Sequence, residues 1–184
     1  MAGPSWIEGY AIVSEDGMLA NASGIMPDAL KFEADKRFFE EGMDGVDVAV
    51  HGRHSHEGQP NSPGRKRLIL THHVVNIERD PANPLARFWN PAGLSLEGAL
   101  DNLDATQARL GVVGAAAVFA LFLDRFDAFH LTRAPDVWLP GGVPVFPQVP
   151  SHTPEAVLEA AGLKPDPRID LDKAKGLTLV TWRR

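Results

Sequence analysis

The chain contains no cysteine among its 184 residues. Disulfides, thiolate metal centres and cysteine nucleophiles are therefore excluded. A long hydrophobic run is also missing. The longest apolar stretch, 112–122, is broken up by glycine and alanine and falls short of the about 20 residues needed to span a bilayer. The opening residues, MAGPSWIE, have neither the basic start nor the apolar run of a secretory signal. A soluble cytoplasmic protein without a membrane partner is expected. Nor is there an excess of basic charge, because 18 Lys and Arg face 24 Asp and Glu for a net charge of −6. General nucleic-acid binding is disfavoured on that ground, although a local cationic pocket is not. The nucleotide fingerprints G-x-G-x-x-G and G-x-x-x-x-G-K-[ST] do not occur, and neither does the metalloprotease pattern H-E-x-x-H.

What is present reads as one globular domain over 1–184, with 44% hydrophobic and 23% charged residues. Short apolar runs at 9–14, 46–52, 67–73, 109–114 and 128–134 read as strands, and an alternating run at 177–182 reads as a last one. Between them lie helical stretches at 28–42, 95–105, 115–126 and 153–163. Thr153 followed by Pro154 marks a helix start. Alternation of this kind predicts an α/β fold with a predominantly parallel central sheet, helices on both faces and an antiparallel C-terminal edge. Segments 74–78 and 86–91 are further candidates for short extended pieces. Residues 15–27 read as a long loop of the kind that often serves function.

Three stretches bear on chemistry. The first is 51–70, HGRHSHEGQPNSPGRKRLIL, rich in histidine and arginine. His54 and His56 diverge on a helix and lack a completing set on a strand, so a metal site is not expected there. The second is a pair of strand-glycine-helix junctions, VAVHGRHSHE and GVVGAAAVF, with a short helix start expected at 53–57. Free backbone N–H groups at such a junction suit a phosphate, and glycine admits close approach. Ordinary turn chemistry accounts for each junction equally simply. The third is Asp35, which shares one helical face with Phe38 and Phe39. Either it lines an apolar cleft with a raised pKa, or it turns to the helix edge and pairs with Lys31.

Taken in order, GRHSHE at 52–57, PGRKRLILT at 63–71, GAAAVFALFL with FHLT, Asp35 with Phe39, and the closing Arg183-Arg184 resemble the dihydrofolate reductase family. The resemblance runs from about Gly9 to Arg184. It implies an NADPH-dependent reductase acting on a pterin, with 7,8-dihydrofolate foremost. Gly52, Arg53, His54 and Ser55 would take cofactor phosphate. Thr71 and His72 would stand near the adenosine 2′-phosphate. Val113, Gly114, Ala115, Ala116, Ala117, Val118 and Phe119 would form the second cofactor junction. Asp35 would orient the pterin and raise the basicity of the nitrogen to be protonated, with Thr132 supporting it. Ala11, Ile12 and Phe39 would contact the ring, Arg65 would pair with the folate glutamate, and 15–27 would be a mobile loop over the nicotinamide. Three positions depart from the family pattern: Pro27 is followed by Asp28 rather than tryptophan, Ala115 replaces a glycine, and His56 stands at an aromatic position. SEDG at 14–17 is closer to the related reductase domain of riboflavin biosynthesis, which takes a ribosylated pyrimidine phosphate. A binding module that keeps the nucleotide but has lost catalysis is the rival of another class. Monomer and homodimer are both compatible with the sequence.

Overall fold

The computed structural model describes residues 2–55 and 61–184. In chain order, β1 (Trp6–Val13) and β2 (Met18–Ala20) precede α1 (Glu33–Asp44) and β3 (Val48–Gly52). Next come β4 (Lys66–Leu70), β5 (Ile77–Asp80), β6 (Asn83–Trp89), α2 (Leu96–Asn102), β7 (Arg109–Val112) and α3 (Ala116–Phe122). The chain closes with β8 (Ala128–Arg133), β9 (Val143–Pro144), α4 (Pro154–Ala160), β10 (Lys164–Pro165), β11 (Ile169–Asp172) and β12 (Leu177–Arg183).

Among the described residues, one ten-stranded sheet runs in the order β10-β12-β8-β1-β7-β3-β4-β6-β5, with β11 also on β12. The six strands from β8 to β6 pair in parallel. The C-terminal strand β12 runs antiparallel to β8, as expected, and β5 makes a second antiparallel edge on β6. The expected α/β class therefore holds. The extended pieces expected at 74–78 and 86–91 are found only in part, since β5 begins at Ile77 and β6 runs from Asn83 to Trp89.

Strand alternation divides the core. Val48, Val50, Leu68, Leu110, Val112 and Phe129 pack with Leu100 of α2, Phe119 and Phe122 of α3, and Leu158 of α4. On the opposite face lies α1, with Met43 against Tyr10, Ala49 and Val113. The α2 and α4 starts are sealed as their sequences predict. Ser95 Oγ accepts from Gly98 N–H at 3.1 Å, and Thr153 Oγ1 accepts from Ala156 N–H at 3.1 Å.

The first helix departs from expectation at both ends. Asp28–Leu30 forms only a 3-10 turn, anchored by fully buried Leu30. Lys31 and Phe32 are extended, so α1 begins at Glu33. At the other end the helix runs through Gly42 to Asp44. Gly42 is a contact point rather than a stop: a Cβ there would lie 2.1 Å from the Tyr10 hydroxyl.

Candidate active site

The helices leaving β1 and β7 diverge to opposite faces, although the two strands are neighbours. The loop after β1 leads to α1 on one face, and the loop after β7 leads to α3 on the other. Their pairing ends at Gly9 and Val112, while β1 continues four residues further beside β8. A parallel sheet opens a crevice at such a point, beyond the carboxyl ends of its strands.

A cavity of about 400 Å³ fills that crevice on the α1 side. Tyr10, Ala11 and Ile12 of β1, His130 and Thr132 of β8, and Val113 after β7 form its sheet wall. Asp35, Phe38 and Phe39 of α1 form the opposite wall, with Met26, Lys31 and Lys36 also contributing. Asp35 is the pivotal group. Burial pushes its carboxyl above the usual range, against the opposing pull of a hydrogen bond from the Thr132 hydroxyl. The alternative pairing with Lys31 does not form, because Lys31 is held by Asp28 at 2.8 Å. The structure thus brings together Ala11, Ile12, Asp35, Phe39 and Thr132, residues separated by up to 121 positions in the chain.

The two glycine junctions meet beside this cavity. Gly114 has φ +114°, and a Cβ on it would lie 2.6 Å from Ser55 Oγ. Gly52 faces Val118 of α3, with 3.6 Å from its would-be Cβ to Val118 Cγ2. Arg53 and His54 are exposed in the turn after β3. Thr71 and His72 follow β4, the next strand, at the same sheet edge. Thr71 is buried and its Oγ1 accepts from His73 N–H at 3.1 Å, whereas His72 is exposed. Ala115 and Ala117 are exposed, and Ala116 is half-buried at the first turn of α3. The expected helix start at 53–57 extends into residues outside those described, as does His56. Arg53 and His54 themselves lie in a turn.

Four expectations are corrected. Phe119 is fully buried, its ring packed edge-on to Phe129, and Val118 is buried with it in the core. Their side chains hold α3 to the sheet and are spent on core packing. Arg65 does not line the cavity. It is buried beside Asp44 at the end of α1, 3.6 Å from its carboxylate, at the amino end of β4. Loop 15–27 is not free along its length: β2 pairs with β9, and Asp16 accepts from Ser14 Oγ at 2.6 Å and from Leu139 N–H at 3.0 Å. Arg133 adds bonds to the carbonyls of Ser14 and Glu15, and reaches Glu155. Among the described residues no group of three or more His, Asp or Glu is placed to hold a metal ion, and no helix is long and apolar enough to cross a membrane.

Sequence reasoning overlooked Glu8, Tyr10 and His130. Glu8 is a buried carboxylate in a strand. It takes hydrogen bonds from Tyr10 OH at 2.6 Å and Trp6 Nε1 at 2.8 Å. The signal was available, because Glu8, Tyr10 and Ile12 alternate onto one face and a glutamate inside an apolar strand needs partners.

No protein-family model matches the sequence, and no curated protein sequence matches it. Solved structures do match. A dihydrofolate reductase from Enterococcus faecalis, complexed with NADP(H), is similar over 100% of this chain and 99% of its own, at 16% identity and a TM-score of 0.66. A pyrimidine reductase-like protein from Corynebacterium diphtheriae is similar over 97% and 91%, at 17% identity and a TM-score of 0.65. A diaminohydroxyphosphoribosylaminopyrimidine deaminase/5-amino-6-(5-phosphoribosylamino)uracil reductase from Thermotoga maritima is similar over 98% of this chain and 56% of its own, at 16% identity and a TM-score of 0.64. With this strand order and these neighbours, the chain has the dihydrofolate reductase-like fold.

Proposed function

We propose that the protein is an NADPH-dependent reductase that transfers hydride to a C=N bond of a pterin, with 7,8-dihydrofolate the first substrate to test. One observation carries this reading. Asp35 is a carboxylate with a raised pKa, set in an aromatic-lined cavity directly beside the junction where Gly114 meets Ser55. The cavity accepts a planar ring between Phe38 and Phe39 on one side and Ile12 on the other. Asp35 then accepts hydrogen bonds from an amino group and a ring N–H. The Gly52–Ser55 turn and residues 113–116 hold the cofactor's phosphates through backbone N–H groups, with Arg53 adding charge. When bound, the cofactor supplies the hydride. The protein's part is to orient the ring, exclude water and favour protonation of the accepting nitrogen.

The fit of these residues to NADPH rests on geometry. Positive φ at Gly114 leaves a cradle that a side chain would fill, and two exposed polar side chains, Arg53 and His72, stand at the same sheet edge. A second reading, reduction of a ribosylated pyrimidine phosphate, is favoured by one contact. Asp44 stands 3.6 Å from the Arg65 guanidinium on which a folate glutamate would depend. Two of the similar structures carry pyrimidine reductase names. The test is loss of nicotinamide absorbance with NADPH and, in parallel, 7,8-dihydrofolate, a dihydropterin without the glutamate tail, and a ribosylaminopyrimidine phosphate. Turnover of the first supports folate, and turnover of the last supports the second reading. NADPH binding without oxidation by any of them leaves the non-catalytic module.

A further inference from the structure

We propose that His130 is a positioning residue of this cleft: seated on Thr181 and facing the buried carboxylate of Glu8, it fixes the Tyr10 ring in the cavity wall and couples that wall to pH. The inference deepens the reductase reading, since the cavity is the substrate site assigned above.

The register brings the parts together. Tyr10 of β1 pairs with His130 of β8, and His130 pairs with Thr181 of β12, so all three stand on the α1 face. The His130 ring stacks on Tyr10 with centroids 4.6 Å apart and 28° between planes. Phe38 stands edge-on to His130 at 5.3 Å, and both phenylalanines meet Tyr10. Thr181 Oγ1 lies 2.9 Å from His130 Nδ1, and Glu8 Oε2 lies 3.9 Å from its Nε2. Glu8 in turn holds the Tyr10 hydroxyl. One carboxylate therefore governs both rings of the stack. Gly42 of α1 leaves the space through which the Tyr10 hydroxyl reaches it.

Charge decides how firmly this wall is held. Among the described residues, the charged and titratable groups around the imidazole are Glu8 and Tyr10 on β1, Arg109 on β7, and Glu33, Asp35 and Lys36 across the cavity on α1. β12 contributes the Thr181 hydroxyl. Arg109 is half exposed and lies 3.7 Å from Glu8, where solvent weakens its hold. A protonated imidazole gives the buried carboxylate a second, better shielded counter-charge and adds a cation–π term to the Tyr10 stack. A neutral imidazole loses both, and the wall loosens. Ligand affinity in the cavity therefore falls as His130 gives up its proton.

The sequence provides a clean probe, since Tyr10 is the only tyrosine. In protein labelled with ring-13C tyrosine, the Tyr10 signals report directly on the stacked imidazole. Burial and Glu8 push the phenol's own pKa upward, so it stays protonated. The expected result is one step in the Tyr10 ring shifts over roughly pH 5 to 9, the range in which histidine titrates. That step disappears in His130→Gln and persists in Asp35→Asn. Affinity for 2,4-diaminopteridine, a ring without a glutamate tail, falls severalfold across the same interval in the wild type and stays flat in His130→Gln. A wild-type Tyr10 signal without a step, or a step that survives His130→Gln, overturns the proposal. If His130→Gln does not fold by circular dichroism, His130→Asn decides, and a step that survives it overturns the proposal equally. Failure of the reductase reading looks different: no NADPH oxidation and no diaminopteridine binding, with the Tyr10 step intact.

Discussion

Asp35 and Glu8 show how one face of one sheet sets two carboxylates to opposite ends of their range. Burial pushes Asp35 up. Burial pushes Glu8 up as well, but the nearby His130 ring and hydrogen bonds from Tyr10 and Trp6 outweigh it and lower the carboxyl from 4.5 to about 2. The consequences for stability have opposite sign. Glu8 contributes stability that is present above its ordinary range and is lost as pH falls from 4.5 to about 2. Urea unfolding across that interval should show a steeper acid loss in the wild type than in Glu8→Gln. Asp35 does the reverse, costing stability once pH exceeds the usual carboxyl range. Asp35→Asn should therefore melt at a higher temperature at neutral pH while turnover drops by roughly 100-fold or more, with NADPH affinity unchanged. Asp35 was legible from its spacing to Phe38 and Phe39. Spacing alone left Lys31 open as its partner; the family resemblance named Thr132, and the fold brings Thr132 to it while Asp28 holds Lys31. Arg65 misled for the same reason: its motif is local, while Asp44, which stands beside it, comes from α1.

Strand and helix cores were readable from apolar runs, while their ends were set by contacts that sequence does not display. Residues 28–32 carry helix-forming side chains, yet burial of Leu30 and the extended Phe32 delay α1 to Glu33. Gly42 has the look of a terminator, but its role is to clear the Tyr10 hydroxyl. Residues 15–20 read as a loop because a three-residue strand paired with two residues of β9 leaves almost no pattern. The junction after β7 yields the prediction at this scale. Gly114→Ala meets a positive φ and Ser55 Oγ at 2.6 Å, and should cost about 1–3 kcal/mol in urea unfolding. It should also weaken NADPH binding by calorimetry, because the added methyl displaces the turn that faces the phosphates. Arg53→Ala, exposed in that turn, should leave stability unchanged and weaken NADPH about tenfold, the loss of one charge-assisted hydrogen bond.

Across the whole molecule, function follows from topology before it follows from any motif. The chain leaves β1 toward one face and β7 toward the other, and the crevice collects residues from α1, β1 and β8 with Val113 after β7, while the ends of β3 and β4 lie at the same sheet edge. The sequence offered no standard nucleotide fingerprint, which is why the proposed cofactor edge rests on the parallel sheet and its split rather than on a pattern of glycines. A net charge of −6 makes the local cation at Arg53 matter more for an anionic cofactor, and binding there should weaken with added salt. The central claim is that Asp35 and the Gly52–Ser55 and Gly114 junction serve one reaction. The most direct measurement is NADPH oxidation by wild type and Asp35→Asn against the three substrates, alongside calorimetric NADPH binding to both proteins. The account predicts turnover with at least one substrate, its collapse in Asp35→Asn, and equal NADPH affinity in the two. Undiminished turnover in Asp35→Asn, or no NADPH binding by the wild type, would contradict it.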